Sequence, residues 1–309
     1  MWAPTCCTVT WSVASPSPRS DVSSKRRFLP HAACSSGRSR SNDDPYLPYE
    51  RRSLVLSTML SLVLAHVPIA NALELKEVSV IQNGVRSVLS KAKAAGILRL
   101  VFHDAGTFDL DSKSGGMNGS IIYELDRPEN AGLSKSVKVL EKAKREIDSI
   151  QEVSWADLIA VAGAEAVSLC GGPTIPVRLG RLDSSTPDAE GKLPEETLDA
   201  IALKRCFQNK GLSTQEMVAL SGAHSIGNKG FGNPFQFDNS YYSILLEKPW
   251  TSSGGMSSMI GLPSDRALVE DDECLRWIKT YAGDQIKFFE DFKNAYIKLV
   301  NTGASWEVS

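Results

Sequence analysis

Between Leu98 and Thr107 the chain reads Leu-Arg-Leu-Val-Phe-His-Asp-Ala-Gly-Thr, an apolar segment with one guanidinium and one imidazole set four residues apart. At helical spacing Arg99, Phe102 and His103 share one face, since positions i, i+3 and i+4 stack above each other. That face offers a proton acceptor beside a permanent positive charge. Taken alone, the pattern also fits a core helix with a buried histidine and an arginine in an ion pair.

A second stretch, Gly211 to His224, narrows the reading. Ser213 and Glu216 form a capping-box signature that starts a helix, and Met217, Leu220 and His224 then recur on one inward side. Two apolar helices that each present one histidine can sandwich a flat cofactor, one imidazole binding iron and the other left free. The free imidazole could take a proton from one oxygen of a peroxide. The guanidinium beside it would stabilise negative charge developing on the other oxygen.

In these two motifs the chain resembles the plant-type haem peroxidases, and within them the class that contains ascorbate peroxidase and cytochrome c peroxidase. The family's distal motif reads almost as Leu98 to Thr107 does, and its proximal motif as Ala219 to Gly227 does. The resemblance runs from about Lys76 onward. It implies an all-α fold of two helical lobes with haem b between them, and hydrogen peroxide and a small reductant as substrates.

Composition supports this by exclusion. The formal charge is −2, but residues 1–72 carry eight Lys/Arg against four Asp/Glu, leaving 26 against 32 in the remainder. A mildly acidic body without a basic cluster argues against nucleic acid as a partner. Of four histidines, His31 and His66 precede residue 73, so the body holds only His103 and His224. That is too few for a zinc protein, because Cys170, Cys206 and Cys274 are scattered without a C-x-x-C pair. An odd number of body cysteines also leaves at least one thiol unpaired within a monomer.

Residues 1–42 are rich in Ser, Pro, Ala and Arg, with Asp21 the only acidic residue, a composition typical of a chloroplast transit peptide. Residues 43–72 carry Arg51-Arg52, a short apolar run and an Ala70-Asn71-Ala72 end, the pattern of a cleavable twin-arginine signal. The alternative is a membrane anchor, but the run is shorter than the roughly 20 residues a span needs. Two signals in tandem describe a plastid protein re-exported into the thylakoid lumen, with a mature haem-peroxidase-like domain over 73–309. The pattern beyond is helical almost throughout. A helix is expected over Lys76–Ala94, broken at Gly96, and another capped by Ser134 with Val137, Leu140, Ile147 and Ile150 inward. Ser154 with Asp157 opens a third, and Arg178–Asp199 reads as an extended connection. Ser264–Ala282 and Asp284–Val300 supply two more, the last with Ile286, Phe289, Tyr296 and Leu299 inward.

By the resemblance, His103 takes the place of the distal acid–base residue and Arg99 that of the distal arginine. Phe102 stands where this class has tryptophan. Asn130 matches the asparagine whose carbonyl holds the distal histidine, and Glu124 the glutamate that supports it. His224 matches the axial iron ligand and Asp265 the carboxylate that accepts its N–H, while Ser221 in the same motif joins the cofactor-binding set. Lys91 matches a lysine used near ascorbate. The main departure follows His224. The family's loop there is about ten residues longer and carries an arginine, a second histidine and a tryptophan that have no counterpart here. Ser225, Asn233 and Asp238 match part of a proximal monovalent-cation site. The implied function is an ascorbate-peroxidase-like haem protein of the lumen, acting in the oxidative-stress response with its electron donor open. The alternative is a peroxidase scaffold with weak haem capture that serves as a binding or structural protein, with a thylakoid-membrane protein as partner.

Overall fold

The structure, a computed structural model, describes residues 69–251 and 259–307. The expected transit peptide over 1–42, and the expected twin-arginine signal over 43–72 as far as residue 68, fall outside the described residues. Ten α-helices are present among those described: α1 (Ile69–Val88), α2 (Lys91–Ala105), α3 (Ser134–Asp148), α4 (Trp155–Leu169), α5 (Ala200–Gln208), α6 (Thr214–Ser221), α7 (Ser240–Glu247), α8 (Pro263–Ala267), α9 (Asp272–Gly283) and α10 (Gln285–Asn301). Pairing between extended segments is limited there to two isolated bridges, Asp109 with Ser114 and Arg181 with Trp306. The chain is all-α, as expected.

The helices sort into two lobes. In the first, α1 packs on α3 and α4, and α2 packs on α3 and α4; in the second, α6 packs on α9 and α10, and α7 on α9. Helix α4 is the centre of the first lobe and is buried from Ala156 to Val167. Its alanines and Gly163 let neighbours come close: a Cβ on Gly163 would run into Val101 of α2 and the Tyr296 hydroxyl of α10. Tyr296 in turn donates to the Ala160 carbonyl at 2.7 Å. This contact joins the lobes along α2, α4 and α10, and the remaining gap between α2 and α6 is the site.

Several local expectations are met by named caps. The Ser154 hydroxyl accepts from Asp157 N, and Ser213 with Glu216 closes the capping box at α6. The Asp157 carboxylate turns outward from α4 to hold Gly180 N at 2.7 Å and the buried Arg181 at 2.8 Å. It thereby anchors the extended Arg178–Asp199 connection.

Other expectations are corrected. The break before α2 falls at Leu89-Ser90, where Ser90 is extended with φ −145° and ψ 160°. Gly96 instead lies inside α2, where a Cβ would stand 2.8 Å from Ser136 Oγ of α3; it serves close packing and does not end the helix. Ser134 is the first residue of α3, with Leu133 at the cap position. Ile150 lies beyond the end of α3 and is exposed. Ile286 in the first turn of α10 is also exposed, because Phe288, Phe292, Tyr296 and Leu299 form the buried stripe, with Phe289 half-buried beside it.

Candidate active site

A cavity of about 340 Å³ opens between the lobes, with Phe102 and His103 on one wall and Leu220 and His224 on the other. Its surface is mostly apolar, and each imidazole is held from behind.

On the α2 wall, His103 Nδ1 lies 2.7 Å from Asn130 Oδ1. An amide oxygen can only accept, so Nδ1 carries the hydrogen and Nε2 is left as the acceptor. Asn130 is oriented in turn by donating Nδ2–H to the Glu124 backbone carbonyl at 2.9 Å. Support from Glu124 therefore comes through its main chain. Its buried carboxylate accepts from Ser120 Oγ, Arg127 Nη1 and Asp188 N, which fixes the loop that carries Asn130. Burial, joined by the Arg99 charge and opposed by the Asn130 bond, lowers the His103 pKa, which keeps the imidazole neutral.

Arg99 lines the same cavity but is exposed, and its guanidinium donates to the carbonyls of Glu129 at 2.6 Å and Ala131 at 2.8 Å. Arg99 and His103 of α2 are thus tied to one short turn, with Asn130 between the two carbonyls Arg99 uses. Phe102 fills the wall between them and stacks on Phe207 of α5 at 5.9 Å.

The opposite wall is built by α6 and the 3-10 turn Gly222–Ser225 that continues it. His224 sits on this turn, with Nδ1 at 2.7 Å from Asp265 Oδ1. Asp265, at the N-terminus of α8, is buried and also accepts from Tyr241 Oη at 2.8 Å and Leu262 N at 2.8 Å. Burial opposes protonation of His224, but the Asp265 charge and hydrogen bond outweigh it and raise the imidazole pKa. Against its own burial, the same pairing holds the Asp265 carboxyl below the ordinary carboxylate range. The His224 side chain is 40% accessible although Asp265 and Tyr241 behind it are buried, because its free edge faces the cavity. Ser221 also lines the cavity, but its hydroxyl donates back to the Met217 carbonyl at 2.9 Å and is spent on the helix.

The sequence reading thus brought together Arg99, Phe102, His103 and Asn130 on one wall and Ser221, His224 and Asp265 on the other. It missed Tyr241 as a third donor to Asp265, and the fully buried Asp104, whose carboxylate holds Gly119 N at 2.9 Å and Ile121 N at 3.2 Å. No spacing rule links Tyr241 to Asp265 across 24 residues, and Asp104, though next to His103 in α2, does not line the cavity. Of the cation set, Ser225 is buried, Asn233 is exposed, and Asp238 accepts from Ser240 N and Oγ. Cys170, Cys206 and Cys274 are all free thiols. No helix among the described residues is long and apolar enough to cross a membrane.

The donor chemistry fits a haem. One imidazole with a carboxylate behind it and a free ring nitrogen suits an axial iron ligand, apolar walls suit a porphyrin, and a second, neutral imidazole faces the first. An all-α fold with that cavity is the framework of a haem peroxidase. The chain belongs to the peroxidase family: the family model described as Peroxidase matches residues 79–284. Over 272 residues it is 65% identical to the Arabidopsis thaliana protein named "Putative L-ascorbate peroxidase 6", covering 86% of this chain and 82% of that one. It is 39% identical over 250 residues to "L-ascorbate peroxidase 1, cytosolic" of Oryza sativa subsp. indica, covering 76% and 96% of the two chains. With "L-ascorbate peroxidase 3" of Arabidopsis thaliana it shares 37% identity over 249 residues, 76% of this chain and 84% of the other. These relatives mark it as a class I plant peroxidase, and membership implies haem, hydrogen peroxide and a reducing substrate.

Proposed function

We propose that this chain is an ascorbate-peroxidase-like haem enzyme of the thylakoid lumen that reduces hydrogen peroxide in the oxidative-stress response. The observation that carries the chemistry is the pair of imidazoles facing one cavity, each fixed by a 2.7 Å bond to a side-chain oxygen. The lumenal part rests on the tandem signals read in residues 1–72.

In this reading His224 would hold the iron through its free nitrogen, and the Asp265 bond to Nδ1–H would raise the electron donation of the imidazole. When bound, the haem supplies the electron reservoir for two-electron cleavage of the O–O bond. His103 Nε2 accepts the proton of the arriving peroxide and returns it to the departing oxygen, a role that needs the neutral tautomer Asn130 enforces. Arg99 keeps a positive charge at the rim of that wall, where it favours negative charge on oxygen. Phe102 and Leu220 exclude water from the two faces. A monovalent cation beside Ser225, Asn233 and Asp238 is a subordinate part of the reading, supported by the Ser225 hydroxyl, which is buried without a hydrogen-bond partner.

The donor is open because the loop from His224 to Asn233 lacks the family's arginine. The test is hemin titration of residues 73–309 followed by turnover with ascorbate and with guaiacol. A His224-dependent Soret shift and peroxide-dependent oxidation of either donor are expected. No Soret shift at any hemin concentration would overturn the enzyme reading in favour of a scaffold that acts as a binding protein.

A further inference from the structure

One side of the cavity is formed by neither histidine wall but by the Arg178–Asp199 connection, whose residues Pro194, Glu195 and Glu196 line it. This segment is pinned at both ends. Lys210 Nζ donates to the Lys192 carbonyl at 2.7 Å, and Leu193 packs so closely on Gly106, just past α2, that a Cβ there would stand 3.0 Å from Leu193 Cδ2. Three residues on, the N–H of Ser264, beside Asp265 in α8, donates to the Glu196 carbonyl at 3.0 Å. Residues 193–196 therefore cross from the His103 wall to the His224 wall and carry two carboxylates over the gap. Both glutamate side chains are exposed, which puts them at the opening of the cavity.

Neither carboxylate is neutralised from within. Glu195 meets only the Thr197 hydroxyl, at 3.5 Å, and the Glu196 carboxylate makes no hydrogen bond or ion pair among the described residues. Its charge nevertheless favours a proton on both His103 and His224, as expected of an anion between the two walls. The cations of the cavity stand to either side: Arg99, held by the carbonyls of Glu129 and Ala131, and Lys229, on the loop after His224. Next to the carboxylates the lining is apolar, with Pro194, Leu203 and Phe207, whose ring stacks on Phe102. An aromatic ring laid on that surface would bring a positive group on a short arm to the two glutamates, and would bring a negative group into repulsion with them.

We propose that Glu195 and Glu196 select the reducing substrate, favouring a phenol or catechol that carries an ammonium group over an anion such as ascorbate. The proposal rests on the peroxidase reading of the cavity. One hydrogen peroxide takes two electrons and two protons as its O–O bond breaks to give two waters. Each of two donor molecules loses one electron and its phenolic proton, becoming a phenoxyl radical, so the protons released balance those consumed. The ammonium group keeps its protons throughout and serves only to hold the ring at the opening.

The test compares tyramine with 3-(4-hydroxyphenyl)propionate, which share a phenol ring and a two-carbon arm but end in opposite charges. Two quantities are measured on hemin-loaded protein: paramagnetic broadening of the donor ring protons before peroxide is added, and KM and kcat for each donor in turnover. Tyramine should bind more tightly and show the lower KM, with the difference shrinking as salt is added. An exposed ion pair is worth up to about 1 kcal/mol, a factor of about five. Glu196→Gln should therefore raise the tyramine KM by up to about fivefold and lower that of the propionate, and Glu195→Gln/Glu196→Gln should abolish the preference. Loss of the Glu196 charge also touches both histidines, but that change acts on the two donors alike, so the ratio of their KM values isolates recognition. An unchanged melting temperature shows that the variants fold. A ratio that stays the same in the double variant, or a parent protein that prefers the propionate through Lys229, would overturn the selection and leave the peroxidase reading intact. Absence of any Soret shift in the parent protein would remove both.

Discussion

His103 and Asn130 are bound to each other across 27 positions of chain, Nδ1 to Oδ1 at 2.7 Å, and the same turn accepts both hydrogen bonds of Arg99 through the carbonyls on either side of Asn130. The short 3-10 turn Pro128–Asn130, with Ala131 just after it, thus sets the tautomer of His103 and the place of the Arg99 guanidinium. It is itself fixed through Glu124, so the α2 wall of the cavity is defined by a loop outside α2.

Kinetics should report that arrangement. With haem bound, His103→Leu should slow peroxide consumption by roughly 10²-fold or more, the usual cost of a lost acid–base group. Because the His103 pKa is lowered, the base stays unprotonated to lower pH than an ordinary histidine does. The acid limb of the rate profile should therefore fall below the usual value of about 6.5. Asn130→Asp places a carboxylate on Nδ1–H and should move that limb upward. Stopped-flow profiles that coincide for parent and Asn130→Asp would dissociate the base from this hydrogen bond.

Asp104 gives a stability signature independent of haem. Burial pushes its carboxyl up to about 7, against the Gly119 and Ile121 N–H groups, which favour the anion. Between the ordinary carboxylate pKa and about 7 the folded chain therefore keeps a proton that the unfolded chain has released. Stability is lost as pH rises through that window. Asp104→Asn cannot titrate, so the melting temperature of the parent should fall relative to the variant as pH rises to about 7. A constant difference between the two melting curves at all pH values would show that Asp104 ionises normally.

Asp265 accepts three hydrogen bonds in a buried place, from His224, Tyr241 and Leu262. Asp265→Ala leaves three donors unpaired, at about 1–3 kcal/mol each. Urea unfolding of the apoprotein should show a loss of at least about 3 kcal/mol. A loss under about 1 kcal/mol would mean that water replaces the carboxylate.

The short loop after His224 should weaken haem capture and ascorbate oxidation separately. A charged propionate deprived of one partner loses roughly 1.5–3 kcal/mol, a ten- to hundredfold drop in affinity at about 1.4 kcal/mol per decade. Hemin titration should therefore give weaker binding than in an ascorbate peroxidase with the full loop, and ascorbate turnover should stay low at saturating hemin. Tight binding with fast, ascorbate-selective turnover would mean that another surface has replaced the missing arginine.

Processing has its own readout. Cleavage after Ala72 would remove the first turn of α1, Ile69–Ala72, and keep the part that packs, where Ile81 and Val85 enter the core. Terminal sequencing of the plastid-isolated protein should find a start near Leu73. A start at Met1, or anywhere before Arg51, would remove the lumenal assignment.

The sequence alone determined which residues could share a face. The 3.6-residue repeat put Arg99, Phe102 and His103 together, the capping box began α6 at Ser213, and the motifs around His103 and His224 marked the two walls. Helix geometry makes such relations local, so they survive without knowledge of the fold. Where periodicity was read near a helix end it failed, at Ile150 and Ile286, because end residues answer to solvent as much as to the repeat. Gly96 was misread as a break because close packing against Ser136 of α3 is invisible from its own helix. Only the tertiary structure decided that Arg99 turns to the carbonyls of Glu129 and Ala131, that Asp104 is sealed from water, and that Tyr241 reaches Asp265. Each of these depends on what a distant segment places opposite the residue, and hydrogen-bond partners and dielectric are properties of that meeting rather than of either segment.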